Sequence, residues 1–305
     1  MSLSDKGIKA FEEGASPKYM ATLNDEGVPN VVPILSLDTI DRNTLMFGDY
    51  MIWKTKENLL SNPRLACAAT SMKEFKTYIL KGEFIEFIKK GPLVDRANRK
   101  ELFRYNAYTG VRGVGTIKIE QILRSKKLLS LSMFSNIIKM KIGKGAVKPI
   151  KNNGIEKDNK RNKKDDNEIV KLHHRIIEKF KGITSLKCLA FKDEDGFPMI
   201  IPMTSLSPKK DRSRLVFSFS GVNEEIKRIP LLSKVAISIF KLKTDKNILS
   251  LAFSDEIPLG LVQPVAYQIK GRFKGINKFR GVSLGVIDVE EVYSASPPLP
   301  GERIA

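Results

Sequence analysis

The residues with the clearest chemical potential lie in FGDYMIWKTKENLLSNPRL, Phe47 to Leu65. A strand pattern ends at Phe47-Gly48, the chain turns, and a short helix is expected from near Thr55 until it stops before Pro63. Lys54 and Thr55 then stand at a helix N-terminus. Backbone N–H groups without intrahelical partners and the positive end of the helix dipole favour an anion there. The lysine adds a cation, the threonine a hydroxyl donor, and Gly48 lets a ligand approach the backbone. These types suit a phosphate cradle. The plainer alternative is that Thr55 caps the helix and Lys54 is solvated.

An internal repeat must position this segment. NDEGVPNVVPILSL (Asn24 to Leu37) is answered by DEDGFPMIIPMTSL (Asp193 to Leu206), and LMFGD (Leu45 to Asp49) by LVFSF (Leu215 to Phe219). RLACAAT is answered by KVAISIF, YILKGEF (Tyr78 to Phe84) by YQIKGRF (Tyr267 to Phe273), and GTIKIEQI (Gly115 to Ile122) by GVIDVEEV (Gly285 to Val292). Ordered matches of this kind point to duplication of a whole domain. Within each copy, short runs alternate apolar and polar residues and are rich in Val, Ile, Phe and Tyr, which reads as strands. Glu26-Gly27 and Asp195-Gly196 read as hairpin turns. The expected fold class is mainly β with peripheral helices: two tandem small antiparallel barrels. Residues 1–138 form the first, 139–167 a basic linker and 168–305 the second.

Helices are expected before each first strand, over Asp5 to Glu13 (Ser4 as cap, Gly14 as stop) and Glu168 to Phe180. A helical insertion is expected at Val94 to Tyr105, and a longer loop at Lys243 to Pro264. Gln121 to Lys141 reads as a basic amphipathic helix across the two barrels, and Ser296 to Ile304 as an extended arm over the other half. In the second copy Glu224 and Glu225 take the places of Lys54 and Thr55. Two carboxylates repel a phosphate dianion at short range, so one anion per chain is expected.

The chain has 305 residues and a formal charge of +19, with 53 Lys and Arg against 34 Asp and Glu. A basic excess attracts anions such as nucleotides, nucleic acid or acidic lipid. Much of it sits in KMKIGKGAVKPIKNNGIEKDNKRNKK, Lys139 to Lys164, which lacks apolar periodicity and reads as a solvated tether. The stretch lacks aromatics to stack bases, which argues against nucleic acid. Two distant cysteines, Cys67 and Cys188, fit a reducing compartment. The polar N-terminus and the absence of a long apolar run point to a cytoplasmic protein with no membrane span. His173 and His174 are the only histidines and are adjacent, so no metal site is expected. Trp53, Tyr78, Tyr267 and Cys67 read as packing residues, and no catalytic residue is assigned.

The strand pattern together with KT-x-x-NL-x-x-x-P-R-L, Lys54 to Leu65, resembles the FMN-binding split barrels of the pyridoxamine 5′-phosphate oxidase-like family. The resemblance covers most of residues 8–122 and, more loosely, 175–294. It implies FMN as cofactor, with Lys54 and Thr55 on its phosphate and Asn58 close by. It further implies Val32, Pro33, Ile34, Leu35 and Ser36 along the isoalloxazine ring, and Phe47, Gly48 and Asp49 along the ribityl chain. Such barrels work in pairs with the flavin at the seam, so the two copies form an intrachain pair, and a homodimer stays open. An oxidoreductase acting with a nicotinamide nucleotide or an anionic metabolite follows. A non-enzymatic FMN carrier or electron-transfer module is the alternative, and a polyanion-binding protein on the same fold is a third. No basic pocket for pyridoxamine phosphate is evident at the C-terminus, so vitamin B6 oxidation is not expected.

Overall fold

Arg64–Ser71 is buried on both faces from Leu65 onward, which a strand at the edge of a single barrel would not be. Leu65, Cys67 and Ala69 face one core, while Ala66 and Ala68 face a second apolar cluster built from both halves of the chain. Small side chains on that second face let two sheets approach closely. This placement comes from a computed structural model that describes residues 2–14, 16–71, 73–74, 76–99, 110–123, 125–127, 170–181, 185–218, 224–243, 263–279, 282–296 and 300–305.

The first half runs α1 (Asp5–Glu12), β1 (Lys18–Leu23), β2 (Pro29–Pro33), β3 (Asp38–Thr39), β4 (Thr44–Gly48), α2 (Trp53–Ser61), β5 (Arg64–Ser71), β6 (Lys76–Ile88), α3 (Pro92–Arg99), β7 (Val114–Ile122) and β8 (Lys126–Lys127). The second runs α4 (His174–Lys179), β9 (Ser185–Lys192), β10 (Pro198–Pro202), β11 (Ser207–Pro208), β12 (Arg214–Ser218), a 3₁₀ turn (Glu224–Arg228), β13 (Lys234–Lys243), β14 (Gln263–Phe279) and β15 (Val282–Ser294). The two antiparallel sheets follow one plan: β2-β1-β5-β6-β7-β4-β3, with β8 also on β6, and β10-β9-β13-β14-β15-β12-β11. The fold is mainly β, two split barrels as expected.

Each repeated motif has a physical reason in both halves. Ser36 and Ser205, from the Pro-x-x-Ser-Leu motif, accept hydrogen bonds from Gly48 N (3.0 Å) and Ser218 N (3.2 Å), pinning the strand ends. Gly115 and Gly285 lie under the rings of Phe47 and Phe217, leaving no room for a Cβ. Gly82 and Gly271 press on the carbonyls of Lys118 and Asp288, at β-bulges that follow Lys81 and Lys270.

Between the halves, Tyr19, Ala21, Val31, Ala66, Ala68 and Ile79 pack on Cys188, Ala190, Ile200, Ala236, Phe240 and Ala266. Tyr19 meets Phe240 edge-on at 6.4 Å and donates from its hydroxyl to Leu186 O (3.4 Å). The halves therefore share one buried seam.

Several expected boundaries change. Ser4 caps α1 as expected, accepting from Gly7 N at 3.2 Å. Instead of starting at Glu168, α4 begins at His174, with His173 as its cap. Leu172 is bound to the Arg212 carbonyl and packed into the second core, which holds the chain extended up to the cap. Of the insertion, α3 starts at Pro92, a favoured first helical residue, while 100–109 lie outside the described residues. Gln121 to Lys141 begins as strand, in β7 and β8, rather than as helix; from 128 it lies outside the described residues, as do the linker and 244–262. The C-terminal arm folds onto its own half: Ile304 N and Ala305 N reach Val292 O, and Ser294 N reaches Glu302 O. Beyond β12, this edge of β15 has backbone groups that need partners, and the tail supplies them.

Candidate functional site

The start of α2 lies two residues earlier than expected. Its cap position, Ile52, offers no side-chain acceptor, and the first intrahelical bond is Lys56 N to Ile52 O at 2.7 Å. The N–H groups of Trp53, Lys54 and Thr55 precede that bond, which is the arrangement that attracts an anion. Thr55 is thus inside the first turn and does not cap the helix. Its position, with Asn58 and Leu59, forms the buried stripe of α2 at spacings of three and four, while Lys54 is exposed. Asn58 donates to Thr22 Oγ1 at 2.9 Å and so seats the helix on β1. Thr55 Oγ1 accepts from Asn30 Nδ2 at 3.2 Å, which leaves the hydroxyl proton for another acceptor.

The loop before α2 is tied down by charge. Asp49, 3% exposed, has its carboxylate on Lys56 (2.5 Å) and Arg112 (3.5 Å), and its N–H on Gly113 O. The Arg112 guanidinium stacks 4.0 Å from the centre of the exposed Trp53 ring. Met51 takes a left-handed backbone conformation, φ 52°, to make the turn. Phe47 is fully buried, edge-on to Phe87 at 6.0 Å, which leaves only its backbone for a ligand. Of the residues expected along a ring, Val32 and Ile34 pack toward the first core, Leu35 lies at the seam, Pro33 is half-buried, and Ser36 is held by Gly48.

Sequence reasoning missed what the second half brings to this place. On β14 the polar residues that follow Ala266 on the seam face are Gln268 and Lys270, two apart. Gln268 Nε2 donates to Asn30 Oδ1 (2.9 Å) and Val31 O (2.8 Å), so it fixes the amide that in turn holds Thr55. Lys270 is 7% exposed, and the Lys54 ammonium lies near enough to act on its charge. Burial first, then Lys54, push the Lys270 pKa down to about 8, with Glu291 acting in the opposite direction. The repeat marked the place of Lys270, since Lys-Gly recurs in YILKGEF and YQIKGRF, but not its surroundings, and Gln268 stands where the first copy has Ile79.

Other reactive groups are spent on structure. Cys67 and Cys188 are buried, and burial pushes both thiols up in pKa. His173 Nδ1 accepts from Arg175 N at 3.3 Å. Among the described residues no cluster of His, Cys, Asp or Glu could hold a metal ion, and no helix is long and apolar enough to cross a membrane.

No family model matches the chain. An uncharacterized protein of Methanocaldococcus jannaschii is 24% identical over 135 residues, which are 41% of this chain and 83% of that protein. Among solved structures, HupZ of Group A Streptococcus is 19% identical with a TM-score of 0.34, over 39% of this chain and 91% of its own. An FMN-binding protein of Syntrophomonas wolfei is 19% identical with a TM-score of 0.32, over 40% and 83%. A FAD-binding protein of Mesorhizobium loti is 18% identical with a TM-score of 0.29, over 40% and 94%.

Proposed function

We propose that this chain is a flavoprotein that binds one FMN at the seam between its two barrels and acts as an oxidoreductase. The observation that carries the reading is the first turn of α2: N–H groups without a side-chain cap, joined by Lys54 and by a Thr55 hydroxyl that Asn30 leaves with its proton to donate. These groups fit the terminal phosphate of FMN, a near-dianion at neutral pH with three acceptor oxygens. Lys54 supplies charge, Thr55 and the backbone supply direction, and Asn58 anchors the helix that presents them. The loop Gly48–Ile52, held by Asp49, Lys56 and Arg112, fixes the path by which the rest of the molecule would run toward the seam. FMN, when bound, supplies one- and two-electron transfer, which no side chain of the protein provides. The protein then has to bind, orient and shield it, and a basic surface draws anionic partners such as a nicotinamide nucleotide. The division at the 139–167 linker and a cytoplasmic location belong to the same reading.

The test is direct. Freshly purified protein, or protein loaded with FMN and desalted, should carry a flavin spectrum at one equivalent per chain, and riboflavin, which lacks the phosphate, should bind far more weakly. Turnover of NADH or NADPH by the loaded protein supports the oxidoreductase. Tight FMN binding without turnover, with reversible one-electron reduction, would make the chain a carrier or electron-transfer module instead. Equal affinity for FMN and riboflavin would remove the phosphate site.

A further inference from the structure

The seam has two ends related by the repeat, a first and a second seam site, and they are charged differently. Lys81 on β6 and Lys270 on β14 hold matching positions, each one residue before the glycine of a β-bulge and each on the strand face that meets the other half. Lys81, whose side chain is 3% exposed, reaches Asp193 Oδ2 at 2.6 Å and Asp195 Oδ2 at 2.7 Å. Asp193, 1% exposed, also receives Arg228 at 3.2 Å. A lysine at this place is thus satisfied when two carboxylates from the opposite barrel close on it.

The first seam lacks two of those partners, and the third place, held by Glu26 where Asp195 stands, is exposed and makes no ion pair with Lys270. Asn24 stands where Asp193 does, and its Oδ1 accepts from Val28 N at 2.7 Å. Asn58 stands where Arg228 does and is bound to Thr22. Among the described residues no carboxylate lies within ion-pair distance of Lys270. Its neighbours are Lys54, the ring of Tyr293, 5.7 Å away, and Glu291, its partner in register on β15, whose carboxylate takes the Tyr293 hydroxyl and offsets only part of the burial. A buried cation beside a second cation, with one carboxylate near it and none in ion-pair contact, is an arrangement that attracts a further anion. The polar relay Gln268–Asn30–Thr55 is one-sided too, since Ile79 and Met199 hold the mirrored places of Gln268 and Asn30.

We propose that Lys270 is a phosphate ligand delivered across the seam by the second barrel, completing a two-lysine site for a phosphate monoester with Lys54, and that Asp193 and Asp195 close the mirrored seam to such a ligand by occupying Lys81. This rests on the FMN reading for the identity of the ligand, but not for its phosphate chemistry.

The experiment titrates the full chain, and its Lys270→Gln and Lys54→Gln variants, with FMN, riboflavin and inorganic phosphate. Circular dichroism and thermal melts confirm the fold of each variant. Lys270→Gln should weaken FMN at least tenfold, to a degree comparable with Lys54→Gln, leave riboflavin within twofold, and abolish competition by inorganic phosphate. One equivalent should bind per chain. Equal weakening of FMN and riboflavin by Lys270→Gln, or phosphate binding indifferent to it, would overturn the assignment. Two equivalents in the unaltered chain would overturn the closed second seam. Phosphate binding that needs both lysines, in a chain that never takes FMN, would uphold the site and discard the flavin.

Discussion

Lys54→Glu places a carboxylate beside Lys270 and so rebuilds in the first seam the pairing that Lys81 makes with Asp193 and Asp195 in the second. Binding and stability should then move in opposite directions. Losing one charge-assisted hydrogen bond removes about 1.5–3 kcal/mol of phosphate affinity. Reversing the sign adds a repulsion of about 1 kcal/mol in water-like surroundings a few ångströms away. Together these weaken FMN by roughly two to three orders of magnitude in Kd. Stability should rise instead. The Lys270 pKa of about 8 is lowered first by burial and then by Lys54, and the substitution removes only the second cause. Because position 54 is exposed, screening limits the gain to about 0.5–1 kcal/mol, or about 2 °C in Tm for a chain of this size. Calorimetric titration with FMN, and scanning calorimetry of the free protein at low salt, measure the two effects separately. FMN affinity within threefold of the unaltered chain would refute the site. A loss of stability beyond about 1 kcal/mol would refute the claim that Lys54 and Lys270 repel each other.

Three further outcomes follow from the same geometry. Lys81→Met should destabilise the chain by about 3 kcal/mol, because Asp193 keeps only Arg228; adding Asp193→Asn should recover most of it, and simple additivity of the two in urea melts would show that they do not interact. Gly115→Ala drives a methyl into the fully buried Phe47 ring and should lose about 1–3 kcal/mol, whereas Gly14→Ala, with nothing near its Cβ, should be neutral; equal melts would refute the packing argument. Phosphate affinity should be greatest between about pH 6, where a phosphate monoester gains its second charge, and about pH 8, where free Lys270 loses its proton under burial, Lys54 and Lys234 against Glu291. Binding favours the charged lysine, so affinity must fall as pH rises through 8, and a flat profile from 7 to 9.5 would exclude Lys270 as a ligand.

Much of the fold was legible because its signals are local. Alternation of apolar residues marked the strands, and paired motifs such as Pro-x-x-Ser-Leu and Lys-Gly marked equivalent places before any coordinate was known. Lys54 and Thr55 were legible for the same reason, since a turn, two suitable side chains and a following proline all lie within one short segment. Gln268 and Lys270 were not legible, because their meaning depends on facing a helix more than 200 residues earlier across a seam that no local pattern describes. Even the repeat, which lined up Lys81 with Lys270, could not say that one meets aspartates and the other a lysine. The late start of α4 and the return of the C-terminal tail escaped likewise, each decided by long-range backbone partners at Arg212 and Val292.

Joining two such barrels in one chain removes a restriction that a symmetric dimer cannot escape. In a two-fold dimer any side chain at one seam is repeated at the other, so a carboxylate that closes one site closes both. Here the two sheets share a strand order while differing at a few places that matter: Asn24 against Asp193, Asn58 against Arg228, Gln268 against Ile79. Under the proposed reading one end of the seam keeps its lysines for a ligand, whereas the other holds the matching lysine in a buried ionic clasp between the halves. The clasp is Lys81, from the barrel that carries the open α2 site, gripping the barrel that supplies Lys270. Loosening it should therefore reach the phosphate site by shifting β14 against α2, without touching any residue that contacts the anion.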